Sequence, residues 1–149
     1  MDVIIAEEYK GMISDDYIKE ITAEIESVLN LNEVDYSIVF ESDSFVKKLN
    51  NQYRGINTPT DVLSFEANII DPFTHKKYLG DIVISVPTVQ KQAKEREIAL
   101  NDEISIIVVH GILHLLGMDH SSEQSKKEMW GIQQQLLQEL NVDSAAYPQ

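Results

Sequence analysis

The sequence predicts a single α+β domain over residues 1–149, with a mixed sheet of about four strands and helices packed around a central, histidine-bearing helix. Three observations lead to this prediction. The length suits one domain that buries roughly two thirds of its unfolded surface. Strand-like alternation of apolar residues is interleaved with the longer apolar period of helices, without an internal repeat or a linker. The most apolar stretch, residues 104–118, is long enough for a buried central helix.

Strands and helices alternate in the first part of the chain. One strand is predicted over residues 2–6 and another over residues 34–40, where apolar side chains alternate. Between them, Ser14 can cap a helix that runs to about Leu29, because its hydroxyl can accept a hydrogen bond from an N–H of the first turn. One face of this helix carries Ile18, Ile21, Ile25 and Val28. A strand–helix–strand run of this length predicts a right-handed parallel crossover.

A second capped helix is followed by two more strands. Ser42 is expected to cap a helix that runs to about Tyr53. The residues predicted to face the core from this helix are Phe45, Val46, Leu49 and Tyr53. A loop containing a proline then leads into a strand over residues 61–65. An irregular connection over residues 68–78 is followed by a strand over residues 80–86, predicted to be antiparallel to the previous one.

Two further helices complete the predicted layers around the sheet. Pro87 suits the first turn of a helix that continues to about Ile98. Asn101 is expected to cap the central helix. Asp102 and Glu103 would then lie favourably at the positive N-terminal end of that helix.

The last helix is predicted to begin with a capping box and to end at about Leu140. Ser121 and Gln124 have the spacing in which two side chains satisfy each other's backbone N–H groups. The residues expected to be buried are Met129, Ile132, Leu136 and Leu140. Residues 141–149 are expected to form a short, frayed tail.

Three of the four histidines lie close together with the spacing H-x3-H-x5-H. Residues four apart on a helix are offset by only about 40° and by roughly 6 Å along the axis, so His110 and His114 can direct their imidazoles to one point. His120 would lie roughly 120° away if the helix continued. Gly117 stands where a glycine in the left-handed conformation can end a helix, which would allow the chain to bring His120 back.

This geometry indicates a metal site rather than three unrelated core or surface histidines. Three neutral imidazoles with an open fourth position are typical of catalytic zinc, whereas structural sites more often use cysteines or four protein ligands. We therefore predict a Zn2+ ion held by His110, His114 and His120, with water in the fourth position.

The spacing also matches the zincin pattern H-E-x-x-H-x-x-G-x-x-H at every position except the second. The glutamate that serves as general base in those peptidases is replaced by Gly111. A zincin-like arrangement around the central helix is therefore expected, but ordinary peptide hydrolysis is in doubt. Zinc can still lower the pKa of water to about 7, and another residue must then handle the proton or the developing charge.

The net charge of −13 argues against a general electrostatic coat for nucleic acid. A local basic cleft is compatible with this charge. The short basic groups are Lys47, Lys48 and Arg54; Lys91, Lys94 and Arg96; and Lys126 and Lys127.

Three further features bear on the compartment. The chain has no cysteine, which excludes disulfides and thiolate ligands and fits a reducing cytoplasm. Its N-terminal residues lack the pattern of a signal peptide. Residues 104–118 are too short and contain too many polar groups for a membrane span. We therefore expect a cytoplasmic protein without a membrane partner.

Three segments together resemble the YbeY family of bacterial metal-dependent endoribonucleases. The first covers residues 49–65 and includes PTDVLSF, the second is LGDIVIS at residues 79–85, and the third is the histidine segment at residues 110–120. The resemblance extends over nearly the whole chain. Gly111 fits this family, whereas it does not fit a peptidase.

The resemblance implies roles for four residues. His110, His114 and His120 match the zinc ligands of the family, and Arg54 matches an arginine proposed to engage the RNA backbone. A guanidinium suits that role because its planar fork stays charged and can bind a phosphate in two places. Without the resemblance, Arg54 would be interpreted as a surface residue at a helix end.

Three aspartates in or beside the matching segments are less clear. Asp61 and Asp81 are expected to hold backbone amides at a turn or strand start rather than to act in catalysis. Asp119 could orient a histidine N–H or stabilise the turn, and both alternatives stay open.

The resemblance implies a zinc-dependent endoribonuclease for single-stranded RNA that acts in ribosomal RNA processing, at the 3′ end of the small-subunit RNA, and in ribosome biogenesis. Its partners would be RNA and the small ribosomal subunit with its assembly factors. Either water or the RNA 2′-hydroxyl could be the nucleophile. Two alternatives are a zinc hydrolase of a peptide or small molecule and an assembly factor whose zinc is mainly structural.

Overall fold

The structure, a computed structural model, describes residues 1–142. The strands are β1 (Asp2–Ile5), β2 (Val34–Glu41), β3 (Val62–Ile70) and β4 (Lys77–Ser85). The helices are α1 (Asp15–Val28), α2 (Asp43–Arg54), α3 (Val86–Glu95), α4 (Leu100–Leu115) and α5 (Glu123–Glu139), with a short 3-10 turn at Glu7–Tyr9. The predicted tail over residues 141–149 lies outside the described residues from position 143 onward, and Val142 is buried.

The four strands form one mixed sheet in the order β1-β2-β4-β3. β1, β2 and β4 are parallel, whereas β3 is antiparallel to β4 and lies at one edge. α1 connects the two parallel strands β1 and β2, as the crossover prediction requires. The predicted α+β class and the mixed four-stranded sheet are therefore confirmed.

The connection predicted to be irregular, residues 68–78, is largely part of a long hairpin. β3 continues to Ile70 and β4 already begins at Lys77, so the two strands remain paired well beyond the predicted ends. The pairing shifts register between Glu66 and Ile69, and Asn68 between them has a φ of 52°. Backbone pairing thus extends through residues 66–70 of β3, all of which are exposed.

The two faces of the sheet are covered by different helices. Ile82 of β4 belongs to the larger core, which includes most residues of α4. The next residue, Val83, points to the opposite face and packs with Val46 of α2 and Leu63 of β3 in a smaller cluster. The sheet therefore separates α4 from α2, and both approach the edge strand β3.

The prediction for the buried face of α2 is wrong at two positions. Val46 and Asn50 are the buried residues of this helix. Phe45 is 42% exposed and Tyr53 is 62% exposed, although both were expected to face the core. A single helix on one sheet face buries only a narrow stripe, and the stripe that includes Val46 faces the sheet.

The predicted serine caps of the first two helices are confirmed. The Ser14 hydroxyl accepts a hydrogen bond from the Tyr17 N–H at the start of α1, and the Ser42 hydroxyl accepts one from the Phe45 N–H at the start of α2. Ser85 caps α3 in the same way, and Pro87 lies in its first turn as predicted. These caps depend on contacts three residues apart, which explains why the sequence predicts them well.

The predicted caps of the last two helices are wrong. α4 begins earlier, with Ala99 at its N-cap, so that Asn101 lies inside the helix. α5 is capped by Ser122 instead of Ser121. Ser121 belongs to the preceding turn, where its N–H and hydroxyl both donate to Asp119 Oδ1.

α4 is the buried central helix that the sequence predicts. It approaches the sheet closely at Gly111, where a Cβ atom would lie 2.9 Å from Ile82 Cγ2. The missing side chain allows the helix to rest directly on β4.

Among the described residues no single helix is long and apolar enough to cross a membrane. Taken together, α3 and α4 have enough length and apolar content, but the two helices meet at a bend of 116°.

Gly111→Ala should destabilise the fold although it replaces glycine inside a helix. Alanine normally stabilises a helix interior by roughly 0.5–1 kcal/mol. Here the added methyl group has no space next to Ile82, and overpacking of this kind costs about 1–3 kcal/mol. Chemical denaturation of parent and variant measures the change in unfolding free energy.

Gly131→Ala in α5 is the matched control, because a Cβ atom there would meet no atom within 4 Å. Its free energy of unfolding should equal or exceed that of the parent. Equal effects at positions 111 and 131 would contradict the close approach of α4 to β4.

Candidate metal centre

α4 carries two of the predicted ligands one turn apart. His110 and His114 lie on the same side of the helix, and their Nε2 atoms are 3.0 Å apart. Their ring centroids are separated by 4.5 Å. The two imidazoles therefore converge as the spacing of four residues predicts.

Gly117 ends the helix as predicted and brings the third histidine back. Its φ is 91°, its N–H donates to the His114 carbonyl, and the Met118 N–H donates to the Leu113 carbonyl. This pair of hydrogen bonds is the Schellman arrangement, in which a residue with positive φ follows the last helical turn. The sharp reversal directs the chain towards His120.

His120 completes the cluster. Its ring centroid lies 5.4 Å from that of His110 and 5.5 Å from that of His114. One ring nitrogen from each histidine lies within 4.8 Å of the others, a spacing that could hold a metal ion. Within residues 1–142 this cluster has three members, which fits an ion with a position left open for a fourth ligand.

Gln133 of α5 orients His110. The Nδ1 atom of His110 is 3.2 Å from Gln133 Oε1, and Gln133 is only 2% exposed. A carbonyl oxygen can only accept, so Nδ1 carries the hydrogen and the lone pair of Nε2 points into the cluster. Metal-binding histidines usually have such a partner on their second nitrogen. Gln133 was not among the residues predicted for the site, although a polar residue on an otherwise apolar helix face was a visible signal.

The surroundings of His110 and His114 favour neutral imidazoles. Burial lowers the pKa of His110. Burial, together with the charges of the two other histidines, lowers the pKa of His114 to about 4. The neutral form is the one that binds metals, so the donor set fits a divalent cation.

The histidines open into a cleft of about 530 Å³ at the edge of the sheet. One wall is the start of β3, which lies between α4 and α2. Tyr53 and Arg54, at the end of α2, reach the same cleft from the other face of the sheet. The structure thus brings together Arg54 and the three histidines, the four residues selected from the sequence. Arg54 is exposed and forms no ion pair with residues 1–142.

The loop after Arg54 is held by two local features. Gly55 has a φ of 69° and ends α2 in the left-handed conformation. The buried side chain of Asn50 donates from Nδ2 to the Thr58 carbonyl at 2.8 Å. These contacts fix the path from α2 to β3, and Asn50 was not among the residues selected from the sequence.

Asp61 holds the start of β3, as expected. Its Oδ1 accepts the Val62 N–H at 2.8 Å. Its Oδ2 faces the side-chain amide of Gln92, which can donate to Asp61 Oδ2 at 3.3 Å and to Glu103 Oε1 at 3.2 Å. Glu103 is fully buried and forms an ion pair with Arg96. Burial raises the pKa of Glu103, and the charge of Arg96 opposes this shift.

This polar network adds a partner for one charged residue and corrects the prediction for another. Glu103 lies in the first turn of α4 as predicted, and it is also buried and paired with Arg96. Arg96 was included in a basic strip with Lys91 and Lys94, and its pairing removes it from any such surface. This one ion pair joins the C-cap residue of α3 to a residue of α4, which periodicity along a helix cannot indicate.

The other two aspartates are resolved by their hydrogen bonds. Asp81 accepts the Tyr78 hydroxyl at 2.5 Å rather than a backbone amide, so the expectation for it is wrong. Asp119 accepts the N–H and the hydroxyl of Ser121 at 3.1 and 2.7 Å. Of the two alternatives for Asp119, the stabilisation of the turn is the one supported.

Comparisons with known proteins point to one family. The family model described as Endoribonuclease YbeY matches residues 5–141. A Treponema denticola protein named Endoribonuclease YbeY is 39% identical over 140 residues, which cover 92% of this chain and 90% of that protein. A Persephonella marina protein of the same name is 40% identical, with 86% and 84% covered. A solution structure from Thermotoga maritima has a TM-score of 0.64 at 28% identity and covers 94% of this chain and 89% of that one.

Gly117→Val should lower the affinity of the protein for Zn2+ while helix content changes little. A Cβ atom at this position would meet no atom within 4 Å, so the cost is one of backbone conformation. Valine disfavours positive φ, and the turn towards His120 would shift. Gly117→Asn should retain more of the affinity, because asparagine tolerates the left-handed region. Calorimetric titration with Zn2+ measures the affinity of the parent and of each variant. Undiminished affinity in a folded Gly117→Val protein would contradict the role of the turn.

Gln133→Leu should weaken Zn2+ binding by roughly 10- to 100-fold, because His110 would lose the acceptor that fixes its ring. Leucine keeps approximately the volume of the side chain, so the fold should persist. Gln135→Leu, at an exposed position of α5, is the matched control and should bind like the parent. If both variants bind Zn2+ equally well, Gln133 does not orient the ligand.

Proposed function

This chain belongs to the endoribonuclease YbeY family, and from this premise we propose that it is a zinc-dependent enzyme that cleaves single-stranded RNA in ribosomal RNA maturation. The observation that carries the proposal is the convergence of His110, His114, His120 and Arg54 on one cleft. Arg54 comes from α2 on one face of the sheet, whereas the histidines come from α4 and the turn after it on the other face. Their meeting at the edge of β3 supports a common chemical role.

The three histidines would hold the metal ion. The proposal of zinc rests on the donor set, since three neutral imidazoles with an open position are typical of catalytic zinc. A divalent ion bound there would supply Lewis acidity, which lowers the pKa of water and polarises a phosphoryl oxygen. Gln133 contributes by holding His110 in the tautomer whose Nε2 lone pair faces the cluster.

Arg54 would act on the phosphate. Its guanidinium is exposed at the cleft and forms no ion pair with residues 1–142, so it is available for an anionic ligand. A planar guanidinium can contact two phosphate oxygens and offset the charge that develops on them in the transition state. Gly55 and Asn50 support this role indirectly, because they fix the end of α2 and the loop that follows.

Position 111 supports RNA rather than peptide as the substrate. In zincin peptidases the residue after the first histidine supplies the general base. Here a Cβ atom at position 111 would point at Ile82 of the sheet. A glutamate there would enter the core instead of the cleft. The peptide hydrolase alternative therefore lacks its catalytic carboxylate.

The acidic net charge fits a short RNA contact rather than an extended one. With a net charge of −13, the surface cannot follow a long nucleic acid through general attraction. A cleft of about 530 Å³ at the sheet edge has room for only a short unpaired segment. This is consistent with a substrate that presents a flexible, single-stranded segment.

We place the activity in the cytoplasm, on the 3′ end of small-subunit ribosomal RNA, with the small subunit and its assembly factors as partners. This part of the proposal is supported by the family resemblance. The whole chain would act as one domain, and no membrane partner is proposed.

Arg54→Ala should lower the rate of cleavage of single-stranded RNA by on the order of 100- to 1000-fold, because one electrostatic group that stabilises transition-state charge is lost. Arg54→Lys should restore only part of the rate, since an ammonium group cannot contact two oxygens in the same way. Gel analysis of labelled RNA, with zinc content measured for each protein, gives the result.

Lys47→Ala is the matched control, because it removes one positive charge from the exposed surface of the same helix. It should cleave at the parent rate. A chelator should abolish cleavage by the parent, which excludes contaminating metal-independent ribonucleases. Cleavage that persists with chelator, or equal rates for Arg54→Ala and the parent, would overturn the proposal. A parent that contains zinc but cleaves no RNA would favour an assembly factor with a structural metal.

A further inference from the structure

A row of side chains on α2 forms one wall of a second groove. Phe45, Leu49 and Tyr53 are four residues apart and therefore lie along one side of the helix. They line a groove of about 350 Å³ together with residues from the sheet, which are Val39, Phe65, Asp81 and Val83. Phe45 is 42% exposed and Tyr53 is 62% exposed. Two large aromatic rings are thus partly open to solvent beside an apolar depression.

This groove adjoins the histidine cleft and shares two lining residues with it. Tyr53 and Phe65 line both of them. Their rings touch edge to face, with centroids 5.2 Å apart and an angle of 65° between the planes. A flexible chain that leaves the cleft around the edge of β3 therefore passes over these two rings.

The charges around the groove define how a nucleotide would lie. Arg54 at one end and Lys48, three residues after Phe45 on the same helix surface, place positive charge at the rim. Lys48 is exposed and forms no ion pair with the described part of the chain. Asp81 places a carboxylate within the groove. A phosphate is attracted to the rim and repelled from the interior, whereas a base can enter.

We propose that this groove, which we call the α2 groove, stacks an unpaired base of the RNA whose phosphate lies at Arg54. Every nucleobase has a flat face that can stack on an aromatic ring, which suits Tyr53 and Phe65. The carboxylate of Asp81 accepts hydrogen bonds only, and bases offer N–H donors on their edges. The inference rests on the proposed function for the position of the phosphate.

Equilibrium binding of a short single-stranded RNA to metal-free protein tests this without cleavage. Tyr53→Ala should weaken binding by roughly 5- to 150-fold, the range expected when one stacked base is lost. Tyr53→Phe should bind like the parent because it keeps the ring. Tyr53→Leu should bind weakly although it keeps apolar volume. Ile69→Ala, which removes a side chain that is 63% exposed on β3 outside the groove, is the matched control and should have no effect.

A second ligand, a ribose-phosphate chain of equal length without bases, separates stacking from backbone binding. The parent should bind it more weakly than RNA, and Tyr53→Ala should bind it as the parent does. Equal weakening of both ligands by Tyr53→Ala, or no weakening of RNA binding, would overturn the proposal. Far-ultraviolet circular dichroism confirms that each variant is folded.

The outcome is separable from that of the proposed function. If metal-loaded parent cleaves RNA through Arg54 while Tyr53→Ala binds RNA normally, only the α2 groove proposal fails. If binding depends on the ring at position 53 while metal-loaded parent cleaves nothing, only the proposed ribonuclease activity fails.

Discussion

The contact between Gly111 and Ile82 bears directly on the position of the two histidines of α4. Because position 111 has no side chain, α4 lies directly on β4, with Gly111 turned towards Ile82. With Gly111 against the sheet, His110 and His114 face the cleft along β3. The same contact removes the position that a peptidase uses for its general base. The absence of one Cβ atom therefore affects both the packing of α4 on β4 and the set of catalytic groups available in the site.

The cleft depends on the edge of the sheet as much as on the helix. α4 and α2 belong to different layers and different apolar clusters, and they meet only where the sheet ends at β3. An edge strand allows side chains from the two faces to reach one space, which a central strand would prevent. This explains how an acidic chain can offer one local arrangement of an arginine and three imidazoles. The rest of the surface need not attract RNA.

The sequence predicted features that depend on neighbours within about six residues. The caps at Ser14 and Ser42, the pair of histidines on α4 and the turn at Gly117 all belong to this class, because local hydrogen bonds and helix geometry determine them. The functional roles of the histidines and Arg54 stay predictions, but their convergence was foreseeable from spacing and family resemblance.

What sequence reasoning missed depends on contacts between distant elements. Gln133 of α5 contacts His110 of α4, and Arg96 at the end of α3 pairs with Glu103 of α4. The exposure of Tyr53 follows from how α2 rests on the sheet, and the extension of β3 follows from its partner strand. None of these leaves a periodic signal, since each is decided by tertiary packing.

The position of β3 also has a consequence for the behaviour of the protein in concentrated solution. An exposed edge strand offers free backbone groups to which a strand of another molecule can add. The far end of this hairpin presents Ile69, Ile70 and Phe73 to solvent. The shift in register near Asn68 interrupts the flat edge, and the net charge of −13 makes molecules repel one another. That repulsion vanishes near the isoelectric point of about 4.5, so mildly acidic buffers favour precipitation through this edge.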